Sequence, residues 1–169
     1  MKKQKFNDVV KQHFNYLIVE YGFLVKEELT VSGNPLSRGM VTYMMAKEPE
    51  NPVLKQTLIR IILDRGYVLL EFGSKDLESR EYFSVAEIVP FVASGVNVYE
   101  KIDFSRDPYE IIETQVKKLS DFLLLYCIPF LKGDFSIGDR IFEHRSKERE
   151  ERIQKWKKQK QIKLSQNVK

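Results

Sequence analysis

The chain has 169 residues, 43% hydrophobic and 31% charged, which is ordinary for one globular domain with a real core. Its single cysteine, Cys127, excludes an internal disulfide, and no apolar run is long enough to span a membrane. No signal-peptide core follows Met1, so we expect a cytoplasmic protein. The net charge of +4 is unevenly placed, because residues 1–138 carry 17 basic and 19 acidic side chains and residues 139–169 carry 11 and 5. The sequence predicts a mildly acidic body and a basic extension.

The first half of the chain predicts one helix and four strands. Apolar residues at helical spacing indicate a helix over residues 6–21, which Gly22 ends. Four segments then alternate apolar and polar residues between turn signals, as strands do. Their expected positions are residues 23–31, 40–46, 53–63 and 67–72. Short connections favour an antiparallel meander.

The hairpin around Asp64 allows two registers. A three-residue loop that ends in Gly66 at positive φ suits the turn chemistry, whereas a two-residue turn at Arg65 and Gly66 gives one wholly apolar face. We favour the two-residue turn, because a one-residue slip would move every side chain across the sheet. That register places Arg60 opposite Glu71 as a cross-strand ion pair worth about 0.2–1 kcal/mol. The apolar face would carry Ile59, Ile61, Leu63, Val68, Leu70 and Phe72.

Three helices should complete the fold. Ser84 and Glu87 form a capping box that predicts a short helix through about Ala93. The last segment is helical by composition, with acidic residues four positions before basic ones. The predicted fold class is α+β: an N-terminal helix, a four-stranded antiparallel meander, a short helix, a long buried helix and a basic C-terminal helix. One α+β domain is expected over residues 1–138, with a basic helical extension over residues 139–169.

The long helix is the expected centre of the core. Asp107 is its predicted N-cap, and Pro108 takes the first helical position. Every residue of the segment 122–131 is apolar or aromatic, so we expect the end of this helix to be buried on all sides. Pro129 lacks the N–H that the helix needs and should bend the last turn.

The sequence shows no recognisable reaction chemistry. It has no glycine-rich phosphate loop, and one cysteine with two distant histidines does not supply a zinc site. Cys127 lies in the apolar helix and is interpreted as a buried, inert thiol. Sequence order leaves a Ser/His/Asp or Cys/His site open, but neither His13 nor His144 has a recognisable nucleophile context. We therefore expect no enzyme activity, cofactor or metal.

The first candidate binding surface is the mixed face of the predicted hairpin. It combines Arg60 and Glu71 with Tyr67 and Leu69. An apolar centre with charged edges is the composition of a recognition patch. Helices on both faces of the sheet would remove this surface.

The second candidate surface is the basic end of the chain. Its residues are Lys155, Trp156, Lys157, Lys158 and Lys160. Phosphates would pair with the lysines while a base stacks on Trp156. The alternative is a solvated helix whose Ile153 and Trp156 pack on the body or on a second copy.

Several segments carry a resemblance to a family. They are Phe14-Asn15-Tyr16-Leu17, Glu20-Tyr21-Gly22-Phe23, the hairpin Ile61 to Phe72, and Phe130 to Ser136. Together they resemble small bacterial α+β proteins, some of which occur as immunity partners of polymorphic toxins. The resemblance covers roughly residues 6–138 and implies a toxin-blocking protein without catalysis, whose surface charge matches its partner. The basic extension departs from that pattern.

The sequence predicts a non-enzymatic binding protein. The family resemblance implies that it is an immunity protein. Acidic side chains of the body would then face a basic toxin. They are Glu27, Glu48, Glu50, Glu71, Asp76 and Glu78. The alternative is a nucleic-acid-associated protein that binds through the basic C-terminal helix.

Overall fold

The computed structural model combines one antiparallel sheet with helices. It describes residues 5–30, 38–74, 82–98 and 105–166. The chain divides into two compact units, Met1–Phe135 and Ser136–Lys169. The elements in chain order are α1 (Phe6–His13), α2 (Asn15–Val19), β1 (Phe23–Thr30), β2 (Arg38–Met45), β3 (Thr57–Asp64), β4 (Tyr67–Ser74), β5 (Phe83–Ser84), α3 (Val85–Val92), α4 (Pro108–Tyr126), α5 (Ile128–Leu131) and α6 (Gly138–Gln166). The predicted α+β class is confirmed.

The sheet is an antiparallel meander in the order β1-β2-β3-β4-β5. It has five strands rather than the predicted four, because β5 adds two residues at the edge of β4. This strand is short since Ser84 is already the N-cap of α3. The Ser84 backbone N–H donates to Glu87 Oε2 at 2.8 Å, which is half of the predicted capping box.

The β3–β4 hairpin has the two-residue turn that the sequence favoured. Arg60 pairs with Glu71 and Asp64 pairs with Tyr67 across the two strands. Arg65 and Gly66 both have positive φ, 52° and 86°, which matches the right-handed twist of the strands. The predicted apolar face is confirmed, because all six of its side chains are at most 2% exposed.

The helices of the first unit pack on this apolar face. The predicted single N-terminal helix is wrong in one respect, since it breaks at Phe14, where φ is −107° and ψ is 13°. The two helices have different neighbours: α1 packs on β1, β2 and α4, whereas α2 packs on β1. Phe14 and Leu17 are both fully buried around the break. Apolar periodicity alone does not show this break.

Helix α4 begins as predicted. Asp107 caps it by accepting a hydrogen bond from the Tyr109 backbone N–H at 2.8 Å, and Pro108 is the first helical residue. The predicted disruption near Pro129 is also present. The helix ends at Tyr126, and the short α5 follows after Cys127.

The expectation that the end of this helix is buried on all sides is wrong. Leu123 is fully buried, but Leu124 and Leu125 are 39% and 69% exposed. Beyond the break at Cys127, Phe130 and Leu131 of α5 are buried. Only one side of the last turn of α4 is therefore buried.

The second unit is dominated by α6. Its 29 residues span about 44 Å at 1.5 Å per residue. Side chains from 146 to 161 are all exposed. No helix in the described part of the chain is both long and apolar enough to cross a membrane.

Candidate functional site

The second face of the sheet carries the candidate site, and we call it the open face. Cross-strand neighbours align its side chains in rows across the strands. One apolar row is Leu24, Met44, Leu58 and Gly73; a second is Leu29, Met40, Ile62 and Leu69. Between them runs a polar row of Glu27, Thr42, Arg60, Glu71 and Ser84. A last row of Arg38, Asp64 and Tyr67 closes the hairpin end.

The centre of the polar row is a fixed ion pair. Arg60 Nη2 lies 2.7 Å from Glu71 Oε2, and both side chains are largely buried, at 21% and 25% exposure. The guanidinium also stacks on Tyr82, with Arg60 Cζ 3.8 Å from the ring centroid. Arg60 is thus held on two sides in one conformation. A pre-ordered side chain loses little conformational entropy when a partner binds.

Tyr82 lies on the backbone of β4. A side chain at Gly73 would collide with the Tyr82 ring, so glycine is needed for this close approach. Burial raises the pKa of Tyr82, and the Arg60 guanidinium counteracts that effect. The phenol therefore stays neutral at physiological pH and acts on Arg60 through its ring face.

Thr42 of β2 lies next to Arg60 in the polar row. Its side chain is only 5% exposed. Within the described residues, neither Thr42 Oγ1 nor Arg60 Nε has a hydrogen-bond partner. Both atoms are shielded from solvent within the polar row, so they are not contact points for a partner.

Apolar side chains of these rows are accessible on β1 and near the hairpin end, whereas Leu58 and Gly73 beside the ion pair are buried. Leu24 and Leu29 are 40% and 49% exposed, and Tyr67 at the hairpin end is 44% exposed. Ile62 and Leu69 are half-buried. Apolar side chains around a desolvated charged centre are typical of protein recognition surfaces.

A β-bulge determines which residues of β1 reach the open face. The register of β1 with β2 shifts between Val25 and Glu27, so Val25 and Leu29 lie on opposite faces of the sheet. The extra residue is Lys26. The shift turns Glu27 and Leu29 towards the open face and Glu28 towards the core side.

Glu28, on the other side of the bulge, pairs with α1. Glu28 Oε1 lies 2.6 Å from Lys11 Nζ, and Glu28 Oε2 accepts a hydrogen bond of 3.3 Å from Asn7 Nδ2. Both partners are on α1. The Glu28 side chain is 33% exposed, so this is a partly exposed ion pair.

The structure brings together all four residues predicted for partner binding. Arg60, Tyr67, Leu69 and Glu71 share the open face through the pairing of β3 with β4. Sequence reasoning missed Tyr82, whose only signal was an aromatic residue next to the strand-forming Phe83. It also missed the contributions of β1 and β2, which depend on their register. Among the acidic residues predicted to face a partner, Glu48 and Glu50 are exposed in the β2–β3 connection, and Asp76 and Glu78 lie outside the described residues.

The residues predicted for nucleic-acid binding do not share one face of α6. Trp156 and Lys160 lie together, with Lys160 Nζ 5.1 Å from the indole ring centroid. Lys155 and Lys158 line a different side, beside Glu150 and Glu151. Lys157 lies on a third side, because one residue corresponds to a turn of about 100° around the helix.

Cys127 and His13 are two further candidates for reactive side chains. Cys127 is fully buried, as predicted, and burial raises the pKa of its thiol to about 12. His13 Nε2 lies 3.7 Å from Glu113 Oε1 at the edge of α4. In the part of the chain that the structure describes, no three His, Cys, Asp or Glu side chains are grouped to hold a metal ion.

Comparisons with protein families, curated proteins and solved structures all give the same result. No protein-family model, no curated protein and no solved structure matches this chain.

Proposed function

We propose that this chain is a non-enzymatic binding protein that docks a protein partner on the open face of its sheet. The observation that carries the proposal is the fixed Arg60–Glu71 pair, beside which Ile62 and Leu69 are half-buried and Leu29 is 49% exposed. Binding energy at protein interfaces concentrates in such clusters, where a charged or aromatic anchor is surrounded by groups that exclude water. The proposal includes the immunity role that the sequence resemblance implies, with a toxin as the partner.

The charge of the open face supports a partner with a basic contact residue. Its polar row holds Glu27, Arg60 and Glu71, which gives a net charge of −1. At the hairpin end, Arg38 Nε and Asp64 Oδ1 are 3.4 Å apart and cancel each other. A complementary surface presents apolar side chains around one basic residue. We therefore propose a partner that inserts an Arg or Lys beside Glu71, flanked by apolar groups.

The test uses a partner purified by affinity capture with the full chain and then reconstituted from pure components. Calorimetry measures its Kd for the wild type and for Leu69→Asp and Tyr67→Ala. Each substitution should raise Kd about tenfold or more, because Asp introduces an unpaired charge and Ala removes an exposed aromatic contact. If the partner is a toxin, these two variants should also fail to relieve the growth arrest that it causes.

Matched controls come from apolar residues away from the open face. Val19 and Leu125 are 72% and 69% exposed on α2 and α4, so Val19→Asp and Leu125→Asp add the same charge elsewhere. Both controls should bind like the wild type, within about twofold. A partner that binds all four variants equally well would refute the proposal, provided that their melting temperatures are unchanged.

A further inference from the structure

Helix α6 has an uneven distribution of charge along its length. Residues 138–151 contain four basic and five acidic side chains, whereas residues 152–166 contain six basic and no acidic ones. The lysines near the C-terminus favour the helix, since they complement its dipole. Dipole compensation needs only the last turn, however, and the basic region here extends over about four turns.

The charge is also uneven around the helix. One side carries a shallow groove lined by Arg145, Arg149, Arg152, Ile153 and Trp156, and we call these residues the arginine face. Their spacing of three and four residues keeps them on one side of the helix. The opposite side mixes both signs, with lining residues Lys147, Glu150, Glu151, Ile153, Gln154, Lys155 and Lys158. All charged side chains that line the arginine face are basic, whereas those on the other side include Glu150 and Glu151.

A cation lies beside an aromatic ring at each end of the arginine face. Arg145 Cζ lies 5.1 Å from the centroid of the Phe142 ring, and Lys160 Nζ lies at the same distance from the Trp156 ring. Trp156 is 59% exposed. Arg152 Nη2 has an acidic neighbour, Glu148 Oε2, at 3.4 Å. Such a pair is exposed and exchanges readily with a phosphate.

From this arrangement we infer that the arginine face binds single-stranded nucleic acid. Arginine guanidinium groups present a fork of donors that matches phosphate oxygens. The exposed indole offers a platform on which an unpaired base stacks, with Lys160 positioned near the same ring. A duplex keeps its bases stacked inside, so it would use the cations but not Trp156. This inference concerns the second unit and is independent of the open face.

The composition of the helix argues against a lipid surface. Between residues 143 and 161, its apolar side chains are Ile153 and Trp156 alone. A helix that lies in a membrane interface buries a continuous apolar face, which two side chains do not provide. The basic residues would still attract an anionic membrane, so a vesicle is a necessary arm of the experiment.

The experiment uses the full chain and its own fluorescence. Trp156 is the only tryptophan of the sequence, so quenching on addition of a poly(U) oligonucleotide reports contact at this residue. Binding through Arg145, Arg149, Arg152 and Lys160 should give a slope of about −3 for log K against log salt, at 0.7 per phosphate contact. Duplex RNA of equal length should quench Trp156 much less.

Two triple variants test whether binding depends on the arginine face or on the total positive charge of the helix. Arg149→Gln, Arg152→Gln and Lys160→Gln remove three charges from the proposed site, and affinity for labelled poly(U) should fall about tenfold or more. Lys147→Gln, Lys155→Gln and Lys158→Gln remove the same charge from the opposite side. This control should stay within about twofold of the wild type. Trp156→Ala should lose about fivefold or more through stacking alone. Circular dichroism checks that each variant keeps its helix.

Three results would overturn the inference. The first is an equal loss of affinity in both triple variants, which would indicate that binding depends on the total positive charge of α6 and not on one of its faces. The second is equal quenching of Trp156 by duplex RNA. The third is quenching of the same size by vesicles of phosphatidylcholine and phosphatidylserine or by polyglutamate, which would identify a lipid or an acidic protein as the ligand. The open-face variant Leu69→Asp should bind poly(U) like the wild type, so the two proposals fail separately.

Discussion

Thr57 Oγ1 donates a buried hydrogen bond of 2.6 Å to the Phe130 backbone carbonyl. The bond joins the first residue of β3 to α5. Two residues earlier, the Lys55 backbone N–H donates to the Gly133 carbonyl at 2.9 Å. The turn after α5 is therefore fixed to the start of β3 at two points. Its geometry should be unusually sensitive to added bulk.

Gly133→Ala should destabilise the protein by about 2–3 kcal/mol. Gly133 has φ of 83°, which costs a residue with a Cβ about 1–2 kcal/mol. In addition, the new Cβ would collide with the Lys55 carbonyl oxygen, and a backbone atom within a hydrogen-bonded turn cannot move aside. Urea unfolding followed by circular dichroism measures the change.

Gly22→Ala is the matched control for this prediction. Gly22 also has positive φ, 68°, but no atom lies within 4 Å of the position of a Cβ. The variant should cost about 1 kcal/mol from backbone conformation alone. Equal losses at both glycines would show that the contact with Lys55 contributes nothing.

Substitutions at the end of α4 should show that the burial of a leucine side chain, rather than its residue type, determines its contribution to stability. Leu123→Ala should cost about 2–5 kcal/mol, because its side chain is fully buried and leaves a cavity. Leu125→Ala changes the same residue type two positions later, but it is 69% exposed and should cost at most about 0.5 kcal/mol. Denaturant unfolding of both variants makes the comparison. A large loss at Leu125 would mean that its surface is covered in solution.

The β3–β4 hairpin was the most predictable part of the fold. Its strands are adjacent in sequence, so one choice of turn determined every pair from Asp64–Tyr67 to Arg60–Glu71. The choice followed from sorting apolar residues onto one face. The candidate residues on these two strands could be placed together for the same reason.

The remainder of the open face could not be predicted, because it depends on contacts between distant segments. The position of Glu27 and Leu29 requires a bulge at Lys26, and the bulge places Glu28 beside Lys11 of α1. A strict alternation of residues contains no sign of it. Likewise, the apolar end of α4 was assigned to the core because composition does not show which side of a helix meets the sheet.

Tyr43 should make the protein sensitive to alkaline pH. Burial raises the pKa of its phenol, and the nearby Glu28 carboxylate adds to the effect. A folded-state pKa above the unfolded value of 10.0 means that the stabilisation is complete below about pH 10 and is lost as pH rises further. Tyr43→Phe should therefore lose stability less steeply than the wild type above pH 10. Urea unfolding at a series of pH values measures the slope.

The same substitution should be nearly neutral at pH 7. Tyr43 Oη is buried and has no hydrogen-bond partner among the described residues, so its removal leaves nothing unsatisfied. Tyr16 is the matched control, because its Oη donates to the Ser120 carbonyl at 3.4 Å and burial also raises its pKa. Tyr16→Phe should cost about 1 kcal/mol at pH 7. An alkaline slope unchanged by Tyr43→Phe would contradict the prediction.

Cys127 should be unreactive in the native protein. Burial raises its thiol pKa to about 12, so the thiol stays protonated at pH 8, and the side chain is fully buried. Reaction with a thiol-specific disulfide reagent should therefore require unfolding. Its rate should rise in urea in parallel with the unfolded fraction, and it should be faster in the destabilised Leu123→Ala variant. Because the chain has one cysteine, the released chromophore reports this residue alone. Rapid stoichiometric labelling of the folded wild type would show that the thiol is accessible and that α5 opens without global unfolding.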